Sequence, residues 1–284
     1  MDNTKSRDPA RTGVLRRGLL HFAVIAASLL AVGMPTSTLA NGVDEIKKRG
    51  KLIVGVQSEN PPWGYIEANR QLAGYDIEVA QLLGEKFGVP VEFVSVTNPN
   101  RIAMLQTGKV DVLIAVVGMY PDRAKAVQFS KPYATLQNTI IARKGTNIKD
   151  YPDLKGLRVA TAKASAQDTA ITKNAPAGTT IQRFDDDAGS IQAFIAGQVD
   201  ALGGNSTYIA SMSKIRPGND YEYKMVLQTQ YQGIAMRLDD KVMLNFVNAF
   251  VDEIKANGKL NAISRKWLLA DLPVFPTAME GIPY

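Results

Sequence analysis

The chain has 284 residues, of which 33 are lysine or arginine and 27 are aspartate or glutamate, giving a formal net charge of +6. Residues 1–40 carry five of the basic and two of the acidic side chains, so the remainder is close to neutral at +3 and lacks the positive charge typical of nucleic-acid-binding proteins. Cysteine is absent, which excludes disulfides, and the one histidine is His21. Residues 41–284 therefore lack both cysteine and histidine, the usual nucleophiles of cysteine and histidine catalysis and the usual ligands of zinc.

The N-terminal segment has the pattern of an export signal. Three arginines between residues 11 and 17 precede the apolar run from Leu19 to Val32, and a small-residue sequence ends at Ala40. We predict a signal peptide over residues 1–40 that is cleaved, and hence a periplasmic protein. The alternative is an uncleaved anchor, but the run is shorter than the about 18 residues expected of a span. Without a cysteine at the junction a lipoprotein is excluded, while the paired arginines leave the general and twin-arginine export routes open.

Strand and helix patterns alternate after the signal. Leu52–Gln57 reads as a strand, Asp76–Phe87 as a helix with one apolar face, and Val91–Val96 as a second strand. Such alternation is typical of mostly parallel sheets covered by helices, and it predicts an α/β fold.

The segment from Val110 to Val117 is an almost unbroken apolar run, which predicts a strand buried on both faces. Arg123 lies just beyond its C-terminal end, the edge at which open α/β sheets bind ligands. A guanidinium there can meet a carboxylate with two charge-assisted hydrogen bonds. The alternative is an ordinary surface arginine in the first turn of a helix.

A weak internal repeat divides the chain. The heptapeptide Leu105–Asp111 returns 89 residues later as Phe194–Asp200, and in both copies a helix stops at a glycine and turns into an apolar strand. We predict one sheet for each copy, and two lobes. The small-residue loops that follow, Val116–Gly118 and Gly203–Asn205, then face each other across one cleft.

The rest of the chain extends this pattern. Further predicted elements are strands Thr139–Arg143 and Leu157–Thr161, a helix from Ala166, helix Asp187–Ala196 and strand Gly233–Arg237. Two helices close the chain, with core-facing stripes of Val242, Phe246, Phe250 and Ile254, then Leu260, Ile263 and Trp267. The acidic run Asp185–Asp187 is interpreted as helix first-turn chemistry and not as a cation site.

Several motifs in this order resemble the polar amino-acid-binding proteins of bacterial ABC importers, solute-binding family 3. The resemblance covers about Gly50 to Trp267 and is carried by the segments Asn60–Tyr65, Gly74–Ile77, Gly108–Asp111, Pro121–Ala126, Phe129–Tyr133 and Gly197–Ala201. It implies the two-lobe periplasmic-binding-protein fold of type II, each lobe a mostly parallel sheet flanked by helices, with the ligand in the cleft. The implied boundaries are 41–135 for the first part of lobe 1, 136–231 for lobe 2 and 232–284 for the return to lobe 1. The implied hinge is Tyr133–Asn138 with Gln230–Gly233.

The resemblance also implies a function. The protein would capture a polar amino acid or related small carboxylate and deliver it to an ABC permease of the inner membrane, as a monomer and without cofactor, metal or catalytic residues. Arg123 would bind the ligand's α-carboxylate with backbone groups of Val116 and Gly118, although the family often has Ser or Thr where Gly118 stands. In lobe 2 the turn Lys163–Ala166, including Lys163, Ser165 and Ala166, would offer helix N–H groups, and Ser165 would alternatively be only an N-cap.

Other positions depart from the family. Asn205 stands where relatives place an aspartate for the α-ammonium group, so it supplies no countercharge. Gln57, Asn60 and Asn98 stand where relatives contact the ligand's side chain, which implies a polar side chain. Arg101 would meet a distal carboxylate or be structural.

Two rival functions share the pattern. Periplasmic dehydratases of the cyclohexadienyl or arogenate type have the same fold, and Glu59 or Lys163 would be their acid here. A sensor module that presents its ligand to a separate receptor is the third possibility.

Overall fold

The structure is a computed structural model that describes residues 42–218 and 220–284. The predicted signal peptide therefore lies outside the described residues. Within the described ranges, no helix is both long and apolar enough to cross a membrane.

The elements alternate much as the sequence predicts. The described strands are β1 (Leu52–Val56), β2 (Glu59–Asn60), β3 (Gly64–Ile66), β4 (Leu72–Ala73), β5 (Val91–Ser95), β6 (Val112–Leu113), β7 (Gln128–Arg143), β8 (Arg158–Ala162), β9 (Thr180–Phe184), β10 (Ala201–Asn205) and β11 (Tyr221–Met236). The described helices are α1 (Gly42–Arg49), α2 (Tyr75–Phe87), α3 (Arg101–Gln106), α4 (Pro121–Ala124), α5 (Ala166–Asn174), α6 (Asp187–Ile195), α7 (Tyr208–Ile215), α8 (Lys241–Ala256) and α9 (Lys259–Leu268). A short 3-10 turn spans Tyr151–Leu154.

Eight of these strands form one sheet in the order β5-β1-β6-β11-β7-β10-β8-β9. The strands β5, β1 and β6 are parallel to one another on one side, and β10, β8 and β9 on the other. Between them the 16-residue strands β7 and β11 run antiparallel to each other. The two-lobe α/β fold is confirmed, with the first lobe around β1 and the second around β8.

One expectation about the sheets was wrong. The lobes were predicted to have a sheet each, but their strands join a single hydrogen-bonded ladder because β7 and β11 pass through both. The strands predicted at Thr139–Arg143 and Gly233–Arg237 are the ends of this long pair. The predicted hinge segments lie inside it, where Thr135 faces Tyr231; their role as a hinge stays a prediction.

The internal repeat has a structural reason. Gly108 and Gly197 both have positive φ, 71° and 76°, as the turn from helix to strand requires. The aspartate that follows each of them accepts a backbone hydrogen bond from the neighbouring strand, Asp111 from Ile53 at 2.8 Å and Asp200 from Arg158 at 2.9 Å. Each copy thus ties the start of its strand to the next strand in the sheet.

Two predicted elements differ in detail. All of Val110–Val117 is buried, but only β6 is regular strand, because the chain turns at Val116 with a φ of 53°. In α8 the predicted stripe is rotated: Val242 is 51% exposed, and the core contacts are made by Met243, Val247, Phe250, Val251 and Ile254. A strict four-residue spacing drifts around a helix of 3.6 residues per turn, so its first member leaves the apolar face.

Candidate functional site

The cleft between the lobes contains a small, strongly polar pocket. Its free volume is about 20 Å³, far below the several hundred Å³ typical of pockets that hold small molecules. The lobes are in contact here, and a ligand must displace side chains to enter. The pocket is lined by Gln57, Asn60, Asn98, Arg101, Val116, Leu136, Asn138, Ser165, Ala166, Gln167, Asp187, Asn205 and Gln230.

Eight of the eleven predicted site residues are in this lining, and three are outside it: Gly118, Arg123 and Lys163. Gly118 and Arg123 lie beside the pocket, as described below. Lys163 points away, because its Nζ pairs with Asp185 at 2.6 Å on the exposed surface. A ligand contact through the Lys163 side chain has no geometric support in this conformation.

Arg123 joins the two lobes. Its Nη1 donates to the Gly118 carbonyl at 3.3 Å and its Nη2 to the Ala164 carbonyl of the second lobe at 3.2 Å. The guanidinium carbon lies 5.2 Å from the centre of the Tyr120 ring, in cation–π contact. Among residues 42–218 and 220–284 no carboxylate forms an ion pair with it, and burial lowers its pKa. The side chain is therefore a partly buried cation with a fork of donors aimed across the cleft.

Arg101 is more deeply placed. It is 2% exposed, and its Nη1 donates to the carbonyls of Ala115 at 2.7 Å and Val116 at 3.4 Å. Burial, followed by the positive charge of Arg123, lowers its pKa to about 9. These contacts hold the loop after β6 in place, and the distal-carboxylate role stays a prediction.

A buried carboxylate shapes the same loop. Asp76, near the start of α2, accepts hydrogen bonds from the Val116 amide at 3.0 Å and the Tyr133 hydroxyl at 2.8 Å. Positive φ is unfavourable for a β-branched residue, so the Asp76 contact fixes Val116 against its intrinsic preference. Burial raises the pKa of Asp76 to about 7. The Val116 amide is thus occupied, and the Val116 carbonyl accepts from Arg101 and Gln230.

The turn before α5 belongs to the second lobe. Ser165 is the N-cap, and its Oγ accepts from the Asp168 amide at 3.1 Å. The N-cap interpretation is confirmed, and a ligand contact of Ser165 stays a prediction. Ala164 has a φ of 56°, which turns its carbonyl toward Arg123. This turn brings the N-terminus of α5, with Ala166, to the pocket wall.

An amide network explains why residue 118 is glycine. Gln230 donates from Nε2 to the Val116 carbonyl at 3.1 Å and accepts from Asn138 at 3.2 Å and from the Tyr120 hydroxyl at 3.3 Å. A Cβ on Gly118 would lie 2.7 Å from the Gln230 side chain and 2.5 Å from the Tyr120 ring. The space that a serine would need is already filled.

We therefore expect Gly118→Ser to destabilise the protein by about 1–3 kcal/mol, the usual cost of overpacking. Urea denaturation of the two proteins measures this. Adding Gln230→Ala to Gly118→Ser removes one of the two clashing side chains, so the combined loss should be smaller than the sum of the single losses. Additive losses, or a Gly118→Ser variant as stable as the parent, would contradict the close approach seen here.

At the end of β10, the side-chain oxygen of Asn205 is already occupied in this conformation. Asn205 Oδ1 accepts from the Thr207 amide at 2.9 Å and from the Thr207 hydroxyl at 2.6 Å. Because the Thr207 backbone N–H can only donate, the Asn205 atom that faces it must be the amide oxygen. The atom that Asn205 can offer to a ligand is then its N–H₂ donor, and the residue lines the pocket.

Sequence reasoning missed Asp187. The side chain is 2% exposed, and its carboxylate accepts from Gln57 at 3.1 Å, from Asn98 at 3.0 Å and from the Tyr208 hydroxyl. Burial raises its pKa. Asp186 is the N-cap of α6 and Asp187 lies in its first turn, as the sequence predicts, but the Asp187 carboxylate accepts from Gln57 and Asn98 in the cleft. Nothing in the sequence of the acidic run distinguishes Asp186, which caps the helix, from Asp187, whose side chain enters the cleft.

The other missed residues are Leu136, Asn138, Gln167 and Gln230. Leu136, Asn138 and Gln230 belong to the predicted hinge segments, and the two-residue period of a strand would have placed Leu136 and Asn138 on one face. In the described ranges no group of three or more acidic, His or Cys side chains is arranged to hold a metal ion.

The chain is similar to known bacterial solute-binding proteins. The model of a family described as bacterial extracellular solute-binding proteins, family 3, matches residues 52–270. The L-cystine-binding protein TcyJ of Escherichia coli K12 is 28% identical over 257 residues, 88% of this chain and 95% of TcyJ. A mutant of ArgBP from T. maritima superimposes with a TM-score of 0.75 at 31% identity, covering 81% of this chain and 100% of ArgBP. AncCDT-1 is described as an ancestral amino acid-binding protein and a precursor of cyclohexadienyl dehydratase. It superimposes with a TM-score of 0.73 at 32% identity, covering 80% of this chain and 99% of AncCDT-1.

Proposed function

The chain belongs to the bacterial extracellular solute-binding proteins of family 3, whose relatives serve amino-acid ABC importers, and on this premise we propose that it captures a polar amino acid or related small carboxylate for a membrane permease. The observation that carries the proposal is the position of Arg123. Its Nη1 donates to Gly118 of its own lobe and its Nη2 to Ala164, in the turn before α5 of the second lobe. A ligand carboxylate bound to Arg123 would therefore lie beside the N-terminus of α5 and contact both lobes.

Closure follows from that double contact. A ligand shifts a conformational equilibrium only by its differential affinity for the two states, and a group bridging the lobes binds the closed state more tightly. The long pair β7 and β11 is the connection about which we propose the lobes move, with boundaries at 135/136 and 231/232. The permease would recognise the closed form.

Eleven residues constitute the proposed ligand site: Gln57, Asn60, Asn98, Arg101, Val116, Gly118, Arg123, Lys163, Ser165, Ala166 and Asn205. The geometry divides their roles. Arg123 and the N-terminus of α5 provide donors for the carboxylate, and Gln57, Asn60 and Asn98 surround the ligand's side chain. For Lys163 the support is limited to its backbone in the turn before α5.

We propose transport and not catalysis as the activity. Lys163 is turned outward, and Glu59 is not in the pocket lining, so neither candidate acid of the dehydratase alternative faces the pocket. Export to the periplasm with cleavage after Ala40, and a monomeric state, complete the proposal.

Thermal stability tests the function. The protein without residues 1–40, unfolded and refolded to strip carried-over ligand, is heated with each common amino acid and with prephenate. A ligand at a hundredfold excess over its Kd adds about 2.7 kcal/mol to the free energy of unfolding, so binding raises the Tm. We expect at least one polar amino acid to do so and to be recovered unchanged. A response to prephenate alone, with turnover, would establish the dehydratase instead.

A further inference from the structure

The pocket has an acceptor-rich end, built where β2 meets α6. Asp187 is its anionic member. Asn60 is 2% exposed and lines the same pocket; its Nδ2 donates to Gln57 at 2.9 Å, while its Oδ1 has no hydrogen-bond partner among the described residues. Glu59 is outside the pocket lining; its Oε2 accepts from the Ser58 amide at 2.9 Å, and its Oε1 is buried without a partner in the described ranges.

Buried acceptors without donors are uncommon, because each loses its hydration and gains nothing in return. The free oxygen of Asn60 beside the buried carboxylate of Asp187 indicates that this end of the pocket is built to receive donors. Glu59 and Asp187 also interact unfavourably as like charges, and burial raises the pKa of both. A positive group bound at Asp187 would offset this repulsion.

Another part of the site is rich in donors. Arg123 reaches the turn before α5, and the N-terminus of α5 and the amide nitrogen of Asn205 are in the pocket lining. Arg101 is in the same lining, and its charge favours the ionised form of Asp187 without forming an ion pair with it. The site is therefore polarised, with donors for an anion in one part and acceptors for a cation in another.

The contacts of Asp187 also show how a cation would fit. Its Oδ2 accepts two amide N–H groups from the first lobe, of Gln57 and Asn98, while Tyr208 of its own lobe holds Oδ1. When the lobes separate, the two amides leave and Tyr208 stays. The Oδ2 positions are then open to N–H groups of a ligand.

We propose that Asp187 binds a cationic nitrogen group at the far end of the ligand's side chain, with the free oxygen of Asn60 as an additional acceptor. The ligand is then an amino acid with a guanidinium, amidinium or ammonium side chain. This inference rests on the proposed function and specifies its substrate class. It differs from the expectation that Arg101 meets a distal carboxylate.

Matched ligands provide the test. Arginine and citrulline have nearly the same shape but differ in charge, as do lysine and norleucine, and titration calorimetry on the stripped protein compares the pairs together with glutamate. We expect the cationic member of at least one pair to bind at least about tenfold more tightly than its neutral partner and than glutamate, as one charged hydrogen bond provides.

Asp187→Asn keeps the shape and removes the charge. It should reduce the affinity for the cation by at least about tenfold and change the affinity for the neutral partner by less than about threefold. Asp186→Asn is the matched control, since asparagine also caps helices, and it should leave both affinities unchanged.

The outcomes separate the two proposals. Equal binding within both pairs, or a preference for glutamate, overturns the cation assignment and leaves the amino-acid function standing. If none of these ligands binds and the thermal screen finds no other amino acid or small carboxylate that does, both proposals are overturned. The ligand pairs decide the question on the unaltered protein even where Asp187→Asn fails to fold.

Discussion

Replacing Arg123 with alanine should weaken binding of the carboxylate ligand by at least about 100-fold and leave the fold intact. Two hydrogen bonds to a charged group at about 1.5 kcal/mol each amount to roughly that factor. In the structure the side chain is partly exposed and makes only carbonyl and ring contacts. Titration calorimetry measures the affinity, and circular dichroism checks the fold.

The chain offers a matched control for this variant. Arg143 also donates to a backbone carbonyl, that of Phe194 at 3.5 Å, and lies over an aromatic ring, but it is remote from the pocket lining. Arg143→Ala should bind ligand as the parent does. An Arg123→Ala variant with unchanged affinity would show that the carboxylate is bound elsewhere.

The second large effect is on stability and concerns Asp76. Its pKa is about 7 in the folded protein against an ordinary value of 3.8, so the folded state retains a proton that the unfolded state releases between these values. The stabilisation is fully present below about pH 4 and is lost as the pH rises through about 7. At about 1.4 kcal/mol per pH unit, the free energy of unfolding should fall by up to about 4 kcal/mol across this window.

Asp76→Asn should remove that part of the pH dependence. An asparagine can accept from the Val116 amide through Oδ1 and present Nδ2 as a donor to the Tyr133 oxygen, so the variant is expected to fold. Urea denaturation at several pH values compares the profiles. Asp122→Asn, at an exposed position, is the control and should parallel the parent. Superimposable profiles for Asp76→Asn and the parent would mean that Asp76 is ionised in the folded state.

The sequence was sufficient where a property is local. Chain geometry within a few residues determines the glycines of the repeat, the start of α5 and the place of Arg123 after an apolar run. Each of these was placed correctly. By contrast, the single ladder formed by β7 and β11 depends on pairing between segments about 90 residues apart, which no local pattern reports.

Side-chain direction was the least predictable property of the site. Asp187 enters the cleft because Tyr208 and two amides of the other lobe hold it, and Val116 takes a left-handed conformation because Asp76 binds its amide. Both outcomes are set by partners distant in sequence. The sequence alone showed that Gly118 replaces the Ser or Thr common in the family. Only the packed structure shows that the Gln230 side chain fills the space that a larger residue would need.

The long antiparallel pair has a consequence for the order of folding. Leu113 of β6 pairs with Ala235 of β11, which requires closing a loop of more than a hundred residues. That closure is entropically expensive in an open chain. Zipping β7 against β11 shortens the effective loop, because their pairing at Thr135 and Tyr231 delivers the returning chain to the edge of β6. The second lobe, made from one continuous stretch, should therefore form first and act as the template on which the first is completed.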